Sequence, residues 1–261
     1  MAAQGIRANL PQFTLLVVMN GLVGALIGQE RSLVPLLADG RFGLESAVAT
    51  SAFLVTFGLA KAPANLVAGL LADRIGRKRV MQIGWLAGLP VPFILMGAGS
   101  WELVVAANVL LGINQGFTWS TTVLMKIDLA ADEERGRAVG WNEAAGYTAV
   151  GVSALASGLL ADRFGLGVEP FVLGAVVAGA GLLLTASVRE TARPRADAGS
   201  MFLDLRRVTS DRRLTACART GLVNNANDAF AWALLPLLLL RHGKDAGDVA
   251  AVAATYAIVW G

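Results

Sequence analysis

Of the 261 residues, 55% are hydrophobic and only 16% are charged, and the mean hydropathy is +0.59; a soluble domain carries roughly 25% charged residues, so a water-soluble globular fold is excluded. A single cysteine, Cys217, and a single histidine, His242, exclude an internal disulfide and a zinc site of the usual Cys/His kind. The net charge of +3 and pI near 9.4 leave a nucleic-acid partner to be judged from where the cations sit.

A membrane-spanning helix needs about 20 mostly apolar residues, because the hydrocarbon core is roughly 30 Å thick and the rise is about 1.5 Å per residue. Six runs meet this with short connections, at about 12–36, 46–72, 79–99, 102–128, 137–161 and 170–188. They are continuous rather than alternating, which excludes membrane strands. Pro63, Pro90, Pro92 and Pro236 fall inside runs, where a helix bundle tolerates them as kinks. A polar stretch, 189–213, follows with Pro194 and Gly199, and a short amphipathic helix is expected at 201–209. A seventh run covers about 214–240, and an eighth begins near 247 and is still apolar at Gly261. The chain is therefore expected to be incomplete at its C-terminus. No small-residue cleavage site follows a short apolar core at the N-terminus, so the first run is read as a retained helix.

The cations set the orientation. With the N-terminus inside, fifteen Lys and Arg residues fall in cytoplasmic segments, Lys126 among them, and five outside, Arg31 among these. This threefold bias predicts a cytoplasmic N-terminus and a cytoplasmic 189–213. It also accounts for the basic pI without nucleic acid.

Two near-copies stand out. Gly69-Leu70-Leu71-Ala72-Asp73-Arg74-Ile75-Gly76-Arg77-Lys78 ends the second run, and Gly158-Leu159-Leu160-Ala161-Asp162-Arg163-Phe164-Gly165 ends the fifth, 89 residues later. Seven of eight aligned positions are identical, as repeats of segments 1–3 and 4–6 would give, and three crossings per repeat require the second to be inverted. Within the first copy, Gly69 is expected to let its helix approach a neighbour closely, and Gly76 to permit the tight turn. Asp73 sits at a helix C-terminus, where an unpaired carboxylate opposes the helix dipole, so it needs a cation or a helix N-terminus.

The first copy matches, at every defined position, the loop motif G-x-L-a-D-r-x-G-r-k between helices 2 and 3 of the major facilitator superfamily, and the chain resembles a member of it. The resemblance implies an all-α polytopic membrane protein. Residues 1–188 would form a six-helix half of inverted 3+3 repeats, residues 189–213 a cytoplasmic linker, and residues 214–261 the start of a second half. It implies a conformational latch of Gly69, Asp73, Arg74, Gly76, Arg77 and Lys78, joined after helix 4 by Asp128 and Arg135, with Asp128 pairing to Arg77. Two departures leave the coupling ion open. Gly112 stands where many proton-coupled members have an arginine, and segment 5 lacks the Gly-Pro pair of typical drug/proton antiporters.

Polar side chains inside a membrane are costly and are functional candidates by default. Lys61 lies mid-segment 2. Glu143 and Tyr147 are one turn apart and share a face, and Asn225, Asp228 and Trp232 form an i, i+3, i+7 stripe. Because helices 1, 4 and 7 line the cavity of the resembled fold, Asn20, Gln115, Trp119, Asn225, Asp228 and Trp232 are the cavity candidates, and Lys61, Glu143 and Tyr147 join them on the substrate or ion pathway. Each Asn or Gln is equally readable as an interhelical hydrogen bond. Glu30 and Arg31 are placed near the outer end of segment 1, where they can snorkel to the interface. Trp85, Trp101 and Trp260 are read as packing or interfacial residues.

The expected function is secondary transport of a small solute by alternating access in a bacterial inner membrane, with efflux as the default direction. The expected partners are the lipid bilayer, the solute and, as an option, a coupling proton; no cofactor, metal or nucleic acid is expected. A membrane enzyme is disfavoured, because no nucleophile motif, phosphate loop or metal-ligand cluster is visible. The alternative from another class is a non-transporting, receptor-like or truncated scaffold protein.

Overall fold

The computed structural model describes residues 5–44, 46–191, 206 and 209–261, and every regular element among them is helical. The expected amphipathic helix at 201–209 lies almost wholly outside the described residues. The first crossing is α1, Leu10–Gly40, and the second is α2, Ala47–Ile75; Pro35 and Pro63 sit inside them without ending either. The third crossing was expected to be one helix. It is two, α3 (Arg77–Gly88) and α4 (Val91–Gly97), because Pro90 and Pro92 lack the N–H groups that a continuous helix would bond one turn back. Helices α5 (Trp101–Leu129), α6 (Arg135–Phe164) and α7 (Glu169–Leu184) occupy the remaining three of the six expected segments. Beyond the polar stretch come α8 (Arg212–Ala229), a π-helical turn at Phe230–Leu234, α9 (Leu235–Arg241) and α10 (Ala246–Trp260).

Four described stretches are long and apolar enough to cross a membrane: Leu10–Gly40, Ser51–Ile75, Arg77–Gly97 and Asp132–Phe164. Helix α5 is long enough at 29 residues, but its polar side chains dilute its hydropathy. They are turned inward, with Asn108, Asn114, Thr118, Thr121 and Thr122 all fully buried. Helix α7 has 16 residues, and the chain continues to Val188 in tight turns. Leu59, Val176, Leu183, Leu222 and Val259 are more than 60% exposed while Glu30, Arg31 and Lys126 are buried. That is the reverse of a water-soluble protein and matches a lipid-facing surface.

The packing shows the repeat. Helix α1 packs along α6, and α5 packs along α2 in the same way; the α2–α3 contact is echoed by α6–α7. Exchanging the first three crossings with the second three maps each contact onto its partner, as an inverted repeat demands. Both long seams are made by glycine pairs four residues apart. A Cβ on Gly24 or Gly28 would overlap the backbone of Gly146 or Val150, and one on Gly112 or Gly116 would meet Phe57, Ala64 and Asn65. Close backbone approach of this kind drives helix association where lipid removes the hydrophobic advantage. Gly112, noted above as standing where many proton-coupled members have an arginine, is thus a packing residue. The two sequence copies also share a backbone, each helix ending at a glycine of positive φ, Gly76 at +94° and Gly165 at +75°.

The two ends of the bundle are distinguishable. At one, Gly5 N–H donates to Leu129 O (2.9 Å), Ile6 N–H to Glu134 Oε2 (2.8 Å), and Gln12 Nε2 to Arg189 O (3.2 Å). At the other, Trp101 Nε1 donates to Ala49 O (3.0 Å) and the Trp101 ring meets Phe42. Arg7, Arg74, Arg77, Lys78, Arg79, Arg135, Arg137 and Arg189 belong to the first end. Two of the counted cations are misplaced by sequence. Lys126 and Arg31 are fully buried inside their helices rather than at the interface, and removing one from each set leaves the bias in place.

Candidate functional site

A cavity of about 660 Å³ opens between the six-helix unit and α8, within the ~300–1,000 Å³ range of small-molecule sites. Its charged and polar wall is Arg31, Lys61, Asn65, Asn225 and Asp228, and its apolar wall includes Leu54, Phe57 and Trp232. Glu30 and Arg31 are not at the outer end of α1. The helix runs on to Gly40, so both lie inside it, 1% and 0% exposed. The Arg31 guanidinium carbon lies 4.3 Å from the ring centre of Phe57, 5.3 Å from Trp232 and 5.7 Å from Phe53.

Asp228, 5% exposed, is a hub. Tyr256 Oη donates to its Oδ1 at 2.6 Å and Tyr147 Oη to its Oδ2 at 3.4 Å, and Asn227 Nδ2 donates to Tyr256 Oη at 3.1 Å. Trp232 stacks on Tyr147 with ring centres 6.5 Å apart. The π-helical turn carries Trp232, so the expected α-helical stripe is under-wound locally; π-turns of this kind recur at functional sites. Asn225 is exposed on the cavity side and its amide returns to its own helix at Gly221 O (2.8 Å).

A second cluster continues from the first through Tyr147, whose ring meets Trp119 edge-on at 5.8 Å. Trp119 Nε1 donates to Glu143 Oε1 (3.1 Å), and Asn142 Nδ2 donates to the same oxygen (2.9 Å). Asn142 Oδ1 accepts from Lys126 Nζ (2.5 Å) and from Thr122 Oγ1 (3.3 Å), while Asn20 Nδ2 donates to the Asn142 carbonyl (2.7 Å). Glu143, Tyr147, Trp119 and Asn20 therefore lie in one connected cluster. Gln115 is buried on the α5 face, and its Oε1 has no hydrogen-bond partner. Asn142, Lys126, Arg31 and Tyr256 were missed. The signal for Arg31 was available: the apolar run continues unbroken from Leu33 to Ala38 beyond it.

The loop motif is only partly assembled as expected. Arg77 pairs with Asp128 at 2.8 Å. Glu190 reaches back to the N-terminus of α3, its carboxylate accepting from the N–H groups of Arg77 (3.1 Å) and Lys78 (3.0 Å), while Lys78 Nζ donates to Ala186 O (2.9 Å) and Thr191 Oγ1 to Asp128 Oδ2 (2.7 Å). An anion at a helix N-terminus meets both free N–H groups and the positive end of the dipole. Asp73 is exposed and makes no ion pair among the described residues. Arg74 is exposed beside it. Gly69 has nothing within 4 Å of where a Cβ would stand, so it makes no close helix contact and borders an open groove beside Lys61 and Trp119. Arg135 pairs locally with Asp132 at 3.0 Å. Glu190 and Thr191, read from sequence as linker, are thus structural partners of the loop. Trp85 is a packing residue, fully buried against Gly181, and Trp260 packs on Tyr147.

Comparison with known proteins agrees with this architecture. Multidrug resistance protein MdtG of Salmonella typhimurium and that of Citrobacter koseri are each 29% identical over 208 residues, covering 77% of this chain and 49% of theirs. The chain thus spans about half the length of the curated relatives it matches. Among solved structures, a bacterial homolog to the human lysosomal transporter Spinster superposes with a TM-score of 0.66 at 16% identity, over 95% of this chain and 60% of that one. A D-xylose–proton symporter gives 0.61 at 15% identity, over 94% and 66%. At these identities the structures establish the fold. The model of the Major Facilitator Superfamily matches residues 11–261, and the chain belongs to that superfamily.

Proposed function

We propose that the chain works as a secondary transporter, not an enzyme, moving a small solute by alternating access through the cavity beside α8. The observation that carries this reading is a solute-sized cavity, lined by Arg31, Lys61 and Asp228, between the six-helix unit and the helices beyond residue 211. Buried ionisable groups are too costly in a membrane to be kept without a role. Export is the direction suggested by the names of the MdtG relatives. In this reading residues 1–188 are one half, 189–213 the cytoplasmic linker and 214–261 the beginning of the other half. The basic end of the bundle faces the cytoplasm of a bacterial inner membrane. Glu143 and Asp228 are the acidic groups through which a proton would couple, and Arg77, Asp128 and Glu190 hold the loop that resets the cycle.

A solute-independent measurement tests this. In a Cys217→Ser background, Asp39→Cys should react with a membrane-impermeant thiol reagent only from the outer face of sealed vesicles, and Glu133→Cys only from the inner face. Asn65→Cys, in the cavity wall, should react from either face, because the cavity opens alternately. Reaction of Asn65→Cys from one face alone would sink alternating access. Reversed labelling of the other two would overturn the orientation.

A further inference from the structure

We infer that the cavity takes an organic anion, with an oxyanion head against Arg31 and Lys61 and an apolar body against Phe57 and Trp232. The inference rests on the transport reading and names its substrate class. It follows from which hydrogen-bonding capacity in the cavity wall is filled and which is not.

Asp228 and Asn65 are already engaged as acceptors. Both Asp228 oxygens are held by tyrosine hydroxyls, and Asn65 Oδ1 accepts from Ser120 Oγ at 2.9 Å. The donors are empty. Nε, Nη1 and Nη2 of Arg31 have no hydrogen-bond partner although the side chain is fully buried, and Trp232 Nε1 is likewise unpaired. Lys61 makes no hydrogen bond or ion pair with a described residue. The rings around Arg31 stabilise its charge but offer no lone pair, so its five N–H groups keep their capacity. A buried guanidinium is a fork that fits a carboxylate or phosphonate through two parallel bonds.

The charges point the same way. Arg31 and Lys61 both lie near the ring of Phe57, at 4.3 and 5.8 Å from its centre. The two cations repel each other, and Asp228 attracts both without forming an ion pair with either among the described residues. Glu30 attracts Arg31 but makes no hydrogen bond to its guanidinium. It is one residue, roughly 100° of helix, from Arg31; its polar neighbour is Asn108 on α5, and it is not part of the cavity wall. Glu143 is tied to Trp119 and Asn142. The buried side-chain atoms of this wall that lack a partner, on Arg31 and Trp232, are all donors.

The test compares one ring body carrying three charges, with protein in lipid nanodiscs. Tritiated 2-naphthoate is the probe, 2-naphthylmethylammonium and 2-naphthylmethanol are competitors, and scintillation proximity is the readout. Gly58→Leu sets the background, since Gly58 borders the cavity and a side chain there meets open space. Naphthoate should bind in a Gly58→Leu-sensitive way. Arg31→Gln should weaken it about tenfold or more, the equivalent of one charge-assisted hydrogen bond, Arg31→Lys less, and Lys61→Gln by a smaller factor. The ammonium should compete no better than in the background variant. If Arg31→Gln does not fold, Lys61→Gln and the competitor series decide. The anion assignment is overturned if the ammonium competes as well as the carboxylate, if no Gly58→Leu-sensitive naphthoate binding exists, or if both charge variants leave the affinity unchanged. Because the readout is equilibrium binding, each of these leaves the alternating-access labelling result standing on its own.

Discussion

Replacing Asn142 by leucine is expected to destabilise the protein by about 3 kcal/mol or more, the scale on which losing one partner of a buried charge is measured. Leucine keeps the approximate volume but takes away the acceptor of the Lys126 ammonium and of Thr122, and the amide that donates to Glu143. Neutral interhelical hydrogen bonds in membranes average only about 0.6 kcal/mol, because the unfolded chain in lipid also finds partners. The loss of Thr122's bond alone would therefore pass almost unnoticed. Most of the cost falls on Lys126, which is 0% exposed, so that its ammonium is left buried without its acceptor. A double variant, Asn142→Leu with Lys126→Met, should recover most of the loss, since the stranded charge is gone. Thermal unfolding in micelles measures both. A single variant as stable as the parent, or a double variant no better than the single, would show that Lys126 finds another partner.

The long-range part of this site could not be read from the sequence, and the reasons are specific. Hydropathy windows located the crossings because each is a local property of about 20 residues. The Asp73–Lys78 motif was visible for the same reason, and so was the shared face of Glu143 and Tyr147, one helical turn apart. The pairing of Arg77 with Asp128 was reachable only through the family resemblance, 51 positions away, and it is present at 2.8 Å. Glu190 as the acceptor at the start of α3 lies 112 and 113 positions from its donors and has no local signature. Arg31 and Lys126 were counted with the flanking cations because a cation near the edge of an apolar run reads as an interface residue; only the packing of α1 and α5 shows them inside. The break in the third crossing was readable in principle, since two prolines two residues apart remove two helix bonds. Gly69 failed in the opposite direction. Its place in the motif suggested a tight contact, and the structure leaves it facing an open groove.

The glycine seams give the other large effect. Gly28→Leu and Gly112→Leu should each prevent a stable, monodisperse bundle, whereas Gly179→Leu should not. A side chain at Gly28 would overlap the backbone of Val150 on α6, and one at Gly112 would lie 2.5 Å from Phe57 O on α2. Neither obstacle is the movable tip of a side chain, so the helices themselves must part. Forced overpacking typically costs about 1–3 kcal/mol, and more when backbone has to shift. Parting α1 from α6 also pulls Asn20 away from the Asn142 carbonyl, and parting α5 from α2 separates Ser120 from Asn65, so packing and polar contacts are lost together. Gly179, on α7, has nothing within 4 Å of where its Cβ would stand, and a leucine there adds one more apolar side chain to an open surface. Size-exclusion profiles in mild detergent, with thermal unfolding of whatever elutes as a single species, distinguish the cases. Because the two seams are related by the inverted repeat, the two disruptive variants should fail to a similar extent. If Gly28→Leu were tolerated while Gly112→Leu was not, the α1–α6 contact would have to be looser than the α5–α2 contact, and the symmetry of the six-helix unit would be broken where its packing is tightest.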